Sequence, residues 1–231
     1  MTKKTLYTAI GRLMQKKNSC GRSYPVVVLN GKEYMVDIQE MIIWTSLNWR
    51  IVTAEEINTL YTKALSNFEN PLPRPFNACI DRLLIRGLLV SGSGDCEYHA
   101  LYDLLNSLYI IPANGSFPLR FLSFLKLTLF RRIPVSVARK LLRKDQRTQH
   151  EQQVMNLANQ ALLSSAEIIK CVEKNIQHLP NDESILDNLY DDWHTTSENI
   201  GSLVKISKCS KPVIMAIANL YLRQQIIFER I

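Results

Sequence analysis

Several things are scarce in this sequence, and each scarcity removes a class of explanation. The five cysteines, Cys20, Cys79, Cys96, Cys171 and Cys209, are an odd and scattered set with no CxxC pair. That argues against a disulfide scaffold and for a reducing compartment. Cys96 and His99 form a C-x-x-H, but no second ligand pair follows at zinc-site spacing, so neither a metal nor a cofactor is expected. No glycine-rich phosphate loop is present, and His99, His150, His178 and His194 stand apart with no nucleophile fixed beside a base. The chain is therefore not expected to be an enzyme. The most apolar run, Phe117–Phe130, is broken by Arg120 and Lys126 and is too short to span a bilayer. It reads as core, as a dimer face or as a membrane-surface helix, with core preferred. The basic N-terminus lacks a signal-peptide pattern, and a cytoplasmic protein without a transmembrane segment is expected.

What is present is ordinary in amount and uneven in placement. The 231 residues are 46% hydrophobic and 21% charged, with a net charge of +7 and a pI near 9.2. That composition suits a globular chain of one large or two small domains and favours an anionic partner. Residues 1–32 carry Lys3, Lys4, Arg12, Lys16, Lys17, Arg22 and Lys32 and no acid, a candidate arm along phosphates. Leu6, Ile10, Leu13 and Met14 recur at helical spacing and predict a short amphipathic helix there.

Pro25–Leu29, Asn30-Gly31 and Lys32–Val36 predict a β-hairpin, because Asn-Gly supplies the two positive-φ residues of a type I′ turn. Ile38–Leu47 reads as a first helix, followed by a short strand around Trp49. Thr53-Ala-Glu-Glu56 is a capping box opening a helix that buries Ile57, Leu60, Tyr61 and Ala64. Pro75 suits the first turn of a further helix, which buries Phe76, Ile80, Leu83 and Leu84 and stops at Gly87. Leu88–Val90 and Cys96–Ala100 flank Ser91-Gly92-Ser93-Gly94 and read as a two-stranded wing.

Beyond Leu101–Ile111, a short helical pattern, no glycine or proline interrupts the chain from Pro134 to Pro180. Val154, Ala158, Ala161, Ser165, Ile168, Val172, Ile176 and Leu179 recur there at steps of three and four, an amphipathic helix with a packing seam. Uninterrupted, it would exceed ~60 Å and suit a dimer; a break near residues 145–153 or at Ser164-Ser165 is the alternative. The last segment, Ser184–Ile231, repeats the outline of Met41–Val90. Ile185, Leu186 and Leu189 answer the first helix, Trp193 answers Trp49, and Glu198–Leu203 echoes Glu56–Leu60. Ser210 then caps a helix, opened by Pro212, whose Ile217, Leu220, Leu222 and Arg223 parallel Ile80, Leu83, Ile85 and Arg86.

The expected fold class is mainly α with small β-hairpins (α+β), as two winged helix-turn-helix units joined by a helical middle. The domains would be an N-terminal winged-helix domain with its preceding hairpin over 1–100, a helical linker or dimerisation region over 101–180, and a winged-helix-like domain over 181–231. On Glu-Ile-x-x-Leu, an apolar helix and Arg-Gly-Leu-Leu-Val, the chain resembles the broad winged helix-turn-helix regulator class of prokaryotes. That resemblance implies a transcriptional regulator binding double-stranded DNA, expected as a homodimer. The candidate DNA contacts on the two recognition helices are Arg74, Asn77 and Arg82, and Ser210, Lys211 and Asn219. Asp81 and the apolar Val213–Ala218 suit base readout poorly, and the acids of Asp182–Asp192 would point away from DNA. The denser positive charge is Arg131, Arg132, Arg139, Lys140, Arg143, Lys144 and Arg147, candidate phosphate contacts. Tyr24–Val90 is also similar to PqqD-like peptide-recognition modules, which hold a leader peptide as an added strand. That resemblance implies a peptide- or protein-binding adaptor, with Val26–Leu29 and Ile80–Leu84 at the matching positions.

Overall fold

Asn30 and Gly31 have φ of 48° and 69°, the two left-handed residues that a type I′ turn requires, and the hairpin forms where the sequence places it. The structure is a computed structural model that describes residues 3–19, 21–66, 74–113, 147–191 and 194–230. It is an α+β chain. The first half runs β1 (Lys4–Ala9), β2 (Arg12–Lys17), β3 (Ser23–Leu29), β4 (Lys32–Met35), α1 (Ile38–Leu47), α2 (Ala54–Leu65), α3 (Phe76–Ile85), β5 (Leu89–Gly94) and α4 (Glu97–Leu105). The second runs β6 (Tyr109–Pro112), α5 (Gln149–Gln160), β7 (Leu163–Ser164), α6 (Ser165–Glu173), α7 (Asp182–Leu189), α8 (Ile200–Val204), α9 (Ser210–Leu222) and β8 (Ile226–Glu229).

Two expectations fail near the ends of the first half. The stretch Leu6–Met14 is not a helix but parts of two strands, β1 and β2. They are separated by Gly11 at φ +82°, where a Cβ would meet the Val28 carbonyl oxygen at 2.6 Å. Leu6, Thr8 and Ile10 alternate inward, a period of two that coincides with the helical spacing at Leu6 and Ile10. The expected wing is also absent. Ser91–Gly94 continues β5, which pairs antiparallel with β1, and Cys96–Ala100 opens α4 instead of returning as a strand. Gly92 and Gly94 are there for close approach. A Cβ on Gly92 would lie 2.1 Å from the Leu104 nitrogen, and one on Gly94 2.5 Å from the Ala100 nitrogen. Side chains at those positions would push α4 off the strand.

A repeat is present, in a register different from the one the sequence suggests. Asp37, Glu40, Val52, Thr53, Glu56 and Ile57 line up with Thr148, Glu151, Leu163, Ser164, Glu167 and Ile168 without insertion or deletion. Four capping boxes mark the match: Asp37–Glu40 and Thr148–Glu151 open α1 and α5, and Thr53–Glu56 and Ser164–Glu167 open α2 and α6. The first helix of the second copy is thus α5, and α7 and α8 are additions between its second helix and its third. Trp193, expected to answer Trp49, lies outside the described residues. The third-helix match stands: Pro75, Ile80, Leu83 and Arg86 answer Pro212, Ile217, Leu220 and Arg223. Ser210 does not cap α9. It is the first residue of that helix, 1% exposed, with its hydroxyl 2.8 Å from that of Tyr98.

The strands follow the same plan. Tyr7 bridges Val52 while β1 pairs with β5; Ile110 pairs with Leu163 while β6 pairs with β8. In each half the strand that comes first in the chain lies in the middle. The pairing of β6 with β8 joins residues 101–180 to 181–231 through one sheet. The seam expected for a dimer is largely spent inside the chain: Val154, Ser165 and Ile168 are fully buried and Ala158 and Leu179 nearly so. The long helix breaks between α5 and α6, at the Ser164-Ser165 position that the sequence offers.

The two halves meet at Tyr221. Its hydroxyl donates to the Ala9 carbonyl (3.0 Å) and accepts from the Trp49 N–H (3.0 Å), with the Thr8 hydroxyl 2.9 Å away. Its ring stacks on Phe228 at 4.4 Å and tilts against Trp49 at 5.3 Å. Burial pushes its ionisation upward. Trp49 has φ +62°, so the short strand expected around it reduces to the bridge at Val52. Tyr221→Phe strands the Trp49 N–H and the Ala9 carbonyl and is expected to cost about 1–3 kcal/mol, read as a lower denaturation midpoint with an unchanged slope.

Candidate functional site

Glu40 is the third residue of α1 and is 1% exposed. Its Oε2 accepts the N–H of Asp37 at 3.2 Å while Asp37 accepts the N–H of Glu40 at 3.0 Å. Three arginines close on this pair. Arg86 Nη1 lies 2.9 Å from Glu40 Oε2, Arg82 Nε lies 2.9 Å from Oε1, and Arg74 Nη1 lies 2.6 Å from Asp37 Oδ2. Burying a carboxylate costs several kcal/mol after relaxation, and these guanidinium groups offset it. Burial pushes Asp37 upward, but the Glu40 N–H and the Arg74 guanidinium together outweigh that and hold it below the usual carboxylate range.

Two of the three base-contact candidates on the first recognition helix are therefore committed within the chain: Arg74 and Arg82 face Asp37 and Glu40. Asn77 is exposed on α3 and is not part of this cluster. Arg147 donates from Nε to Gln225 Oε1 at 2.7 Å. Ser210 is buried, Lys211 is exposed with its Nζ 5.9 Å from the centre of the Tyr98 ring, and Asn219 is half-buried on α9. Arg131, Arg132, Arg139, Lys140, Arg143 and Lys144 lie outside the described residues, as does Phe117–Phe130.

Arg86 reaches further. Its Nη2 donates to the carbonyl of Met35 on β4, and its guanidinium carbon lies 5.9 Å from the centre of the Tyr34 ring. The C-terminal end of α3 is thereby held beside the outer edge of β4. In the sheet order β2-β3-β4, β3 is central, so Val26–Leu29 has both edges occupied and cannot receive an added strand. Ile80 and Leu83 are core residues. The open edge next to α3 is β4. From the Leu29–Lys32 pair onward the antiparallel alternation turns the N–H and C=O of Glu33 and Met35 away from β3. Around this edge Met35, Ile38 and Ile85 are 68%, 51% and 85% exposed. From the sequence Ile38 reads as an apolar position of the first helix and Ile85 as a repeat position, and none of the three is given a binding role. Ile85 falls outside the apolar stripe of α3, and that departure is the one signal that could have singled it out.

Glu151 repeats Glu40 in the second half. It is fully buried, capped with Thr148, and 3.2 Å from Arg223 at the end of α9. Position 219, which answers Arg82, holds asparagine; neither Glu40 Oε1 nor Glu151 Oε1 has a hydrogen-bond partner, but Glu40 Oε1 has the Arg82 guanidinium 2.9 Å away. Among the described residues no group of three or more His, Cys, Asp or Glu could hold a metal ion. Burial pushes the Cys171 thiol up to about 12 and that of Cys79 upward, away from nucleophilic use. The Cys96 and His99 pair sits exposed at the start of α4. A groove of about 360 Å³ between α5 and the segment after α6 is lined mainly by carboxamides such as Gln152, Asn156 and Asn175.

No protein-family model matches this chain, and neither the curated proteins nor the solved structures contain a match. Function rests on the geometry alone. Asn219→Arg is expected to give Glu151 Oε1 the guanidinium that Arg82 gives Glu40, raising stability by about 1–2 kcal/mol in a denaturation series. A neutral or destabilising result would break the equivalence of the two carboxylates.

Proposed function

We propose that the chain is a peptide-recognition adaptor that takes an extended segment of a partner polypeptide as an added strand on β4, beside α3. The observation that carries this reading is the pairing of an outward-facing strand edge with exposed Met35, Ile38 and Ile85. Main-chain hydrogen bonds at Glu33 and Met35 would hold the segment, and alternate side chains would cover the apolar residues. An incoming strand takes the Met35 carbonyl from Arg86, which keeps its bond to Glu40. Exposed apolar side chains at an unpaired edge are an aggregation liability unless they are used, and this edge is short, as a regulated docking edge would be. The similarity of Tyr24–Val90 to PqqD-like modules agrees with it, with the docking strand moved from Val26–Leu29 to β4.

The expected result is that a phage-displayed library of random linear peptides yields binders with apolar residues at alternate positions. Bound peptide should slow amide exchange at Glu33 and Met35. Met35→Pro removes an outward N–H that the hairpin itself does not use and should weaken binding by roughly tenfold, as should Ile85→Ser. Binders indifferent to both substitutions, or no enrichment, would refute the β4 site.

A second reading, a DNA-binding transcriptional regulator acting as a homodimer, is favoured by a different observation. With α7 and α8 set aside, each half runs helix, bridge or short strand, helix, helix, strand, an order compatible with a winged helix-turn-helix unit, and an earlier strand, β1 or β6, pairs with its last. The β2–β3 ribbon exposes Arg12, Lys17 and Arg22, and β-ribbons can follow a DNA groove. Under this reading duplex DNA shifts in a gel and the affinity falls steeply with salt. Alanine at Arg12, Lys17 and Arg22, or at Arg139, Lys140, Arg143 and Lys144, would flatten that slope by about one for each phosphate no longer neutralised. No shift at low salt would remove this reading and leave the adaptor.

A further inference from the structure

Along the sequence, the segment that holds α8 and α9 carries charge of one sign. Between Glu198 and Glu229 the chain has no acidic residue, while it has Lys205, Lys208, Lys211 and Arg223. The same stretch exposes apolar side chains: Ile206 is 92% exposed, and Leu203, Leu222 and Met215 are 49%, 49% and 44% exposed. Leu203 lies in the last turn of α8 and Ile206 in the turn that follows, so both stand exposed where the two helices are joined. Lys205 and Lys211 flank this turn, with Nζ atoms 5.8 Å and 5.9 Å from the ring centres of Tyr102 and Tyr98 on α4. The rings hold the lysine stems in place while both ammonium groups stay at the surface.

We propose that the α8–α9 turn is a peripheral docking tip for an anionic lipid surface. Ile206 and Leu203 enter the boundary between headgroups and acyl chains, and Lys205, Lys208 and Lys211 meet the lipid phosphates. Lys205 also borders a cleft lined by Asp103 and Glu198, but Lys208 and Lys211 lie outside that lining; charge complementarity at the turn favours an anionic occupant, and the shape chooses among anions. A side chain as exposed as Ile206 sits on a convex point. A duplex backbone would engage the lysines but give isoleucine nothing apolar, whereas a bilayer interface takes both. No described helix is long and apolar enough to cross a membrane, so the tip would rest on the surface without spanning it. This placement is independent of the β4 edge and does not require the peptide reading.

The test is co-sedimentation of the full chain with vesicles of phosphatidylcholine alone and of phosphatidylcholine containing a quarter phosphatidylglycerol. Binding is expected only to the second, and to weaken as salt rises. Ile206→Ser should reduce it by roughly tenfold. Lys205→Ala, Lys208→Ala and Lys211→Ala combined should abolish the preference for anionic lipid. All four side chains are exposed, so circular dichroism and the unfolding midpoint should not move. Equal binding to both vesicle types, or full binding by Ile206→Ser, would overturn the proposal. So would an absence of vesicle binding, including the case in which the triple lysine variant loses duplex DNA binding, which assigns the lysines to nucleic acid.

Discussion

A buried carboxylate at the third position of a helix governs how each half of this protein closes. Glu40 and Glu151 sit inside the chain only because each answers several demands at once: it caps its own helix and takes an arginine from the far end of the third helix. An acid in that position ties the beginning of a half to its end, across everything the chain inserts between them. In the first half only residues 66–75 separate the second helix from the third; in the second half α7 and α8 stand between them. Both are accommodated because the ion pair fixes the two helix ends and not the path between them.

The two halves have diverged around that common closure. The first keeps a three-stranded sheet between β1 and α1 and puts an open strand edge beside α3, with apolar side chains left uncovered. The second has one arginine at its carboxylate where the first has three around Asp37 and Glu40, and carries lysines and an isoleucine at the turn between α8 and α9. Similar frames thus present different chemistry: outward-facing backbone and exposed apolar side chains in one, a cationic apolar point in the other. Tyr221 holds them at a fixed junction by serving strand β1, the Trp49 backbone and β8 from one side chain.

Much of the local structure is legible in the residues because it is determined locally. Asn30-Gly31 specifies its turn, Thr53 with Glu56 specifies a helix start, and Gly87 at φ +68° specifies a helix end. What escapes is decided across long separations. Nothing near Leu6 reveals that its partner strand lies beyond residue 88, and Gly92 resembles a turn residue until α4 is known to lie against it. The repeat is visible but misaligned, since α7 offers the same apolar spacing as the true counterpart, α5. The candidate site suffers most. Arg74 and Arg82 have the right chemistry for DNA, and only the fold reveals that Asp37 and Glu40 already hold them, while Met35 and Ile85 become informative only once their exposure is known.

Placing β1 and β6 between partners that come later in the chain has a consequence for synthesis. As the chain emerges from the ribosome, β1 precedes both of its partners, Val52 and β5, and β6 precedes β8 by more than a hundred residues. Neither sheet can assemble progressively from one edge, because in each the first segment made is the one the later strands must flank. Loop closure over such separations is slow, so the unpaired β1 and β6 are the segments a chaperone or a neighbouring nascent chain would meet. Each half completes its sheet only when its last strand arrives, and vectorial synthesis gives the order in which the two halves can close.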